Sequence, residues 1–149
     1  MNKNKGFTLI ELLVAIAVMG ILLSLSLFAL NSARISARDT RRKSDIEVVR
    51  SGIELYRADC NVYPSSPLPA AGSSLVGSNS PSNCPSSNVY ISKMPGDPQS
   101  PNKSYFYSTT GTTYMICSAL EQAPNPAMDV SGCGSCGSTG ACNYKVTGP

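Results

Sequence analysis

Residues 7–30, from Phe7 to Leu30, form an apolar run interrupted by a single ionisable side chain, Glu11. Wound as an α-helix at about 1.5 Å per residue, the run spans roughly 36 Å, against about 30 Å of bilayer hydrocarbon. It is long enough to cross a membrane. A carboxylate inside such a run opposes insertion by about 2.5–3.5 kcal/mol at mid-helix and by less near an end, so Glu11 calls for a partner. A newly made amino terminus is the obvious one. A cleaved secretory signal is the competing reading of this end, with an apolar core of about 7–15 residues before a small-x-small cut site. Ala15-Ile16-Ala17 fits that tripeptide, but Glu11 falls within the core and the apolar run continues well past it.

The stretch Lys5-Gly6-Phe7-Thr8-Leu9-Ile10-Glu11, behind a short lysine-containing leader and ahead of the apolar run, resembles the class III signal of type IV pilins and of the pseudopilins of type II secretion. The likeness continues through Arg41-Arg42-Lys43-Ser44-Asp45-Ile46 and Leu55-Tyr56-Arg57-Ala58-Asp59 to Tyr63-Pro64. Met94-Pro95-Gly96-Asp97-Pro98 resembles the Leu-Pro-x-Asp-Pro of major pseudopilins, and beyond about Gln99 the likeness is loose. The resemblance implies cleavage between Gly6 and Phe7 by a membrane aspartyl peptidase, N-methylation of Phe7, and a role in assembly for Glu11, the fifth mature residue. It also implies the partners: the prepilin peptidase, copies of the chain in a helical homopolymer, an inner-membrane assembly platform and minor pilins.

The residue chemistry agrees with that processing. Gly6 presents bare backbone to a peptidase, and Lys3 and Lys5 favour a cytoplasmic leader. Once cut, the Phe7 amine is a cation in lipid one turn from Glu11. Pairing with the amine of an incoming copy converts an insertion cost into a register signal. The plain alternative is a glutamate that snorkels to the membrane edge or stays protonated.

The chain of 149 residues suits one membrane helix plus one small domain. Six cysteines, Cys60, Cys84, Cys117, Cys133, Cys136 and Cys142, all follow the apolar run and suggest disulfides formed outside the cytoplasm. Cys60 with Cys84, and Cys117 with one of the last three, are the pairings expected among about fifteen. The formal charge of +3 falls to +1 without Lys3 and Lys5, too little to argue for nucleic acid from net charge. From Cys60 onward the only charges are Lys93, Asp97, Lys103, Glu121, Asp129 and Lys145, and they cancel.

In order, residues 1–6 read as leader, 7–30 as membrane and filament-core helix, 31–59 as its polar and then amphipathic continuation, and 60–149 as a disulfide-tied head of loops and β-sheet. The expected fold class is α+β, the pilin fold, with the second half of a long helix packed on a small antiparallel sheet. No proline interrupts Thr8 to Asp59; the family commonly has one where this chain has Phe28, and Gly20, Ser24 and Ser26 are the local weak points. Residues 31–45 look polar all round. Their cluster of Arg34, Arg38, Arg41, Arg42 and Lys43 reads as a solvated helix face in preference to a contact with lipid phosphates, neighbouring acids or DNA. The cluster opposes the positive-inside rule, but the cysteines and the peptidase motif place the C-terminal part outside.

From Ile46 onward, Ile46, Val49, Ile53 and Tyr56 form a stripe fit to pack on a sheet. Val48, Gly52 and Leu55 form a flank that is either a wider core face or a contact with a neighbour. Glu47, Arg50, Glu54 and Arg57 share the opposite side at i,i+3 and i,i+4 spacing. Residues 59–102, rich in Pro, Ser, Asn and Gly, read as a long surface connection with a short strand or turn at Val89-Tyr90-Ile91. Residues 104–108 and 112–118 read as a hairpin turning at Thr109-Thr110-Gly111, with a third strand over 142–146.

The best metal candidate is Cys133-Gly134-Ser135-Cys136 with Cys142, but the chain has no histidine to complete a zinc site, and disulfides are the preferred reading. Some major pseudopilins hold calcium in a C-terminal loop; here Asp129 is the only acid after Glu121, so calcium is not supported and no cofactor is expected. Three scattered carboxylates and no histidine beyond the helix argue against an enzyme. The sequence reads as a subunit of a type IV pilus-like filament, held in the cytoplasmic membrane with its N-terminus inside and then drawn into a cell-surface or periplasm-spanning polymer. A secretion pseudopilin is the alternative, and a monomeric anchored adhesin or binding domain is the rival of another class. Weak calcium prospects and the cysteine-rich tail tilt the choice slightly toward the pilus.

Overall fold

A computed structural model describes residues 6–149, so Lys3 and Lys5 of the leader lie outside the described residues. The chain is α+β: one helix, α1 (Leu9–Cys60), precedes five short strands, β1 (Leu75–Val76), β2 (Val89–Ile91), β3 (Phe106–Thr109), β4 (Tyr114–Ser118) and β5 (Tyr144–Gly148). It divides into two compact units, Met1–Ser36 and Ala37–Pro149.

In the first unit the helix is unbroken through Phe28. Ser24 and Ser26 turn their hydroxyls back onto the carbonyls of Ile21 and Leu22, at 2.8 and 2.9 Å, so neither competes with the helical ladder from outside.

The second unit is built around the stripe seen in the sequence. Ile46, Val49, Ile53, Tyr56 and Cys60 are buried against Tyr63, Leu75, Cys84, Ile91, Met94, Tyr107, Tyr114 and Ile116. The sheet β3-β4-β5 is antiparallel throughout, and β1-β2 forms a separate two-stranded ribbon. Period-two alternation sends Tyr114 and Ile116 of β4 toward the helix and Met115 and Cys117 to the other face. That second face is covered by the cysteine-rich tail: Cys117, Ala119, Cys136 and Cys142 are buried together with Phe106, Met115 and Cys133 packed on them. Its glycines have a reason, since a Cβ on Gly134 would lie 2.5 Å from the Phe106 ring.

All six cysteines are paired, as Cys60–Cys84, Cys117–Cys133 and Cys136–Cys142. The first is the expected pair, and the second takes one of the three partners left open for Cys117. The metal reading of the tail falls because each of its sulfurs is already in a disulfide. The third strand lies two residues later than expected and the hairpin turn one later, with Thr110 to Thr113 closing it. Strand β1, inside a stretch read as loop, was not anticipated: two residues carry no periodicity.

Two expectations about helix faces are corrected. Residues 31–45 are not solvated all round, because Asp39 and Arg42 are buried. The polar side expected from Glu47 to Arg57 is only partly one. Glu47 and Arg50 pair at 3.5 Å, but Glu54 accepts a hydrogen bond from the Tyr114 hydroxyl at 2.8 Å, and Arg57 stacks on the Tyr63 ring and donates to its hydroxyl. The Val48-Gly52-Leu55 flank splits. Gly52 is buried under β2, whereas Val48 and Leu55 are 50% and 59% exposed, so this flank is not core.

Candidate functional site

The chain offers two constellations: the Gly6–Glu11 segment in the first unit and a buried ionic cluster in the second. At the end, Gly6, Phe7 and Thr8 are exposed and precede the helix. Thr8 is the N-cap: its hydroxyl oxygen accepts from the Glu11 N–H at 3.3 Å, and its carbonyl accepts the first helical bond from Leu12. Thr8-x-x-Glu11 has the capping-box pattern, a signal the sequence reading passed over in favour of a helix beginning at Thr8. The cap leaves the Gly6–Phe7 bond outside the helix. A Cβ built on Gly6 meets nothing within 4 Å. Every residue from Gly6 to Arg34 is exposed, including Phe7 at 80% and Phe28 at 81%. Among the described residues the Glu11 carboxylate has no ion-pair partner. The helix is long and apolar enough to cross a membrane, and none of its apolar window is buried among the described residues.

The ionic cluster is what sequence reasoning missed. Arg42, fully buried, uses all five guanidinium N–H groups. Nε donates to Asp97 Oδ2 at 2.8 Å, and Nη2 to Asp97 Oδ1 at 3.1 Å and Gln99 Oε1 at 2.9 Å. Nη1 donates to Asp39 Oδ1 at 2.7 Å and Glu121 Oε1 at 3.0 Å. Arg38 grips Glu121 bidentately, both contacts at 2.6 Å. Asp39 in turn accepts the backbone N–H groups of Glu121 and Gln122 at 2.9 and 2.8 Å. Such bidentate, fully donated geometry is what a buried ion pair requires to offset desolvation. The hydrogen bond from Arg38, followed by that from Arg42, holds the Glu121 carboxyl down to about 2. Burial works against the Arg42 charge, but its hydrogen bonds to Asp97, Glu121 and Asp39 outweigh it and raise the guanidinium pKa.

The basic run is thereby dispersed. Arg38 and Arg42 face inward, Lys43 lies over the Tyr144 ring at 5.8 Å, and Arg41 keeps only a 3.9 Å contact with Asp45. Asp97, in the Met-Pro-Gly-Asp-Pro segment, proves to be the keystone carboxylate that docks this loop on the helix. Asp129 is engaged by Ser131 and lies 3.7 Å from Lys145, and among the described residues no three His, Cys, Asp or Glu side chains converge on a metal position.

An apolar, cap-started helix with one acid, ahead of a disulfide-tied α+β unit, is the layout of a pilin-like chain. A family model described as the prokaryotic N-terminal methylation motif matches residues 1–27. Type II secretion system core protein G of Pseudomonas aeruginosa is 32% identical over 113 residues, covering 74% of this chain and 78% of that protein. The proteins of the same name from Pectobacterium carotovorum and Vibrio cholerae are 34% and 28% identical over 98 residues, covering 64% and 66% of this chain and 62% and 67% of theirs. No solved structure matches the chain. The chain belongs to the type II secretion system core protein G family, whose members are structural proteins and not enzymes.

Proposed function

We propose that the chain is a filament subunit of the secretion pseudopilus type, cut between Gly6 and Phe7, N-methylated on Phe7 and polymerised through residues 7–30. The observation that carries this is the uncovered helix. Nineteen apolar side chains left uncovered by the described residues are stable in only two settings, lipid or a bundle of like helices. The subunit waits in the cytoplasmic membrane, N-terminus inside, and leaves it when copies bundle. The Phe7 amine of one copy meets Glu11 of another, which offsets the removal of that carboxylate from water. Peptidase, assembly platform and minor subunits are its expected partners, and the bounds 1–6, 7–30, 31–59 and 60–149 mark leader, core helix, continuation and head. The relatives' name favours a secretion pseudopilus. A surface pilus is the second reading, favoured by a tail built on disulfides in place of acids.

Two measurements test the proposal. Mass spectrometry of the mature chain should find methylated Phe7 at its start; a chain beginning at Met1 supports the plain anchor. Glu11→Ala should leave the protein in the membrane and deplete sheared filaments, and an unchanged yield refutes the amine–carboxylate register.

A further inference from the structure

The second unit has few charges beyond Cys60, and the fold consumes most of them. Asp97 and Glu121 are spent on Arg42, and Lys103 donates to the Ala119 carbonyl at 3.0 Å. Lys145, 15% exposed, donates to Ser131 O at 3.1 Å and lies 3.7 Å from Asp129. Two charges beyond Cys60 face solvent, of opposite sign: Lys93, which has no ion pair among the described residues, and Asp129, whose side chain is 78% exposed although it lies 3.7 Å from Lys145. Each stands beside exposed apolar surface. Lys93 rims a groove of about 490 Å³ floored by Gly52 and Ile91 and walled by Val48 and Leu55; Glu47, which also lines it, is engaged by Arg50 at 3.5 Å. The groove is open because Gly52 lets β2 down onto the helix: a Cβ there would lie 2.2 Å from Ile91 Cγ1.

Asp129 stands beside Met128, 41% exposed, on the loop 123–131, where Ala127 is also exposed. This loop is held in one shape. Cys117–Cys133 closes it, Ser131 N–H and hydroxyl bond the Asp129 carboxylate at 2.8 and 3.0 Å, and the Lys145 N–H reaches the Met128 sulfur at 3.2 Å. A pre-shaped loop loses little entropy on docking, and a flexible thioether adapts to an irregular slot.

We propose that the groove of one copy receives the loop 123–131 of a second copy, with Met128 entering between Val48 and Leu55 and Asp129 meeting Lys93. Groove and loop are different surfaces, so the contact is head-to-tail and propagates instead of closing a pair. This rests on the filament reading above and adds the contact that sets the order of heads along it.

The test uses the full-length chain in cells that assemble it. Lys93→Glu and Asp129→Lys should each lower sheared filament yield about 5-fold or more, as loss and reversal of one charge pair per added subunit implies, and the double exchange should return it to within about 2-fold of wild type. Single variants that assemble normally, or a double variant as poor as the singles, overturn the contact. A photo-crosslinking residue at Leu55 gives an independent readout. Peptide mapping should place the adduct on residues 123–131 of another copy, and an adduct elsewhere on the chain, on lipid or on another protein overturns it. Wild-type cells without filaments overturn the filament reading itself, and this contact with it.

Discussion

Arg42→Ala is the sharpest perturbation of the second unit. It strips five hydrogen bonds and leaves Asp97, with its side chain 0% exposed, and Asp39, at 8%, buried without the cation between them. Breaking a buried pair from one side costs about 3–5 kcal/mol, because the stranded charge is the main penalty. Against a typical total of about 5–15 kcal/mol, that is a large fraction. At about 4 °C per kcal/mol for a domain of this size, the midpoint should fall by about 12–20 °C. Arg42→Lys keeps the charge but puts three donors on one atom, which cannot serve Asp97 in bidentate fashion and reach Asp39 and Glu121 as well; it should lose about half as much. Arg41→Ala, next door but 67% exposed with a 3.9 Å contact, should cost under about 0.5 kcal/mol.

The assay is urea unfolding of the oxidised, detergent-solubilised full chain, followed by the near-ultraviolet tyrosine signal. The chain has no tryptophan, and Tyr56, Tyr63, Tyr107 and Tyr114 sit in the core, so this signal reports the second unit and is blind to the apolar run 7–30. An Arg42→Ala midpoint within about 1 kcal/mol of wild type would refute the claim that this cluster fastens the loops at Asp97 and Glu121 to the helix.

Other outcomes follow from the same structure. Glu121 is held from 4.5 down to about 2, so the unfolded chain binds the extra proton between those values; stability should be intact above pH 4.5 and fall on acidification toward pH 2, and Glu121→Gln should flatten that limb of the urea-midpoint profile. Burial raises the Tyr107 phenol to about 12, so its stabilisation is complete below pH 10 and lost above it; absorbance titration at alkaline pH should show Tyr107 ionising late, and Tyr107→Phe should remove that component. Replacing Cys60 and Cys84 together by serine opens a bridge spanning 24 residues and should cost about 3 kcal/mol, read as a shift in urea midpoint under non-reducing conditions. Gly52→Ala gains helix propensity of up to about 1 kcal/mol, yet its Cβ would lie 2.2 Å from the buried Ile91 side chain; the overpacking term, about 1–3 kcal/mol, should win and lower the thermal midpoint.

Much of this architecture is local in origin and was therefore readable in the chain. The long apolar helix follows from run length, the stripe Ile46-Val49-Ile53-Tyr56 from its 3.6-residue period, and the hairpin around Gly111 from strand formers flanking a turn. Cys60 and Cys84 were matched by bracketing one proline-rich connection. The misses share a different cause. Asp39, Arg42 and Glu54 look like ordinary solvent-facing helix residues because their partners, Glu121, Asp97 and Tyr114, lie 82, 55 and 60 positions away. No window of local periodicity contains both halves of such a pair.

That long-range pairing also explains how a unit with so few charges avoids an arbitrary surface. A polar helix segment ordinarily has no reason to face the core. Here Arg42 and Arg38 collect the acids from two separate loops, so the segment that looked least able to pack becomes the point where the loops are registered against the helix. Since Asp39 also caps the Glu121 and Gln122 N–H groups, the chain leaving β4 is fixed before it enters loop 123–131, and Cys117–Cys133 fixes its exit. The shape of that loop is thus determined at both ends by interactions the helix and β4 provide. Loosening the ionic cluster should therefore disturb the shape of loop 123–131 even where Cys117–Cys133 stays closed.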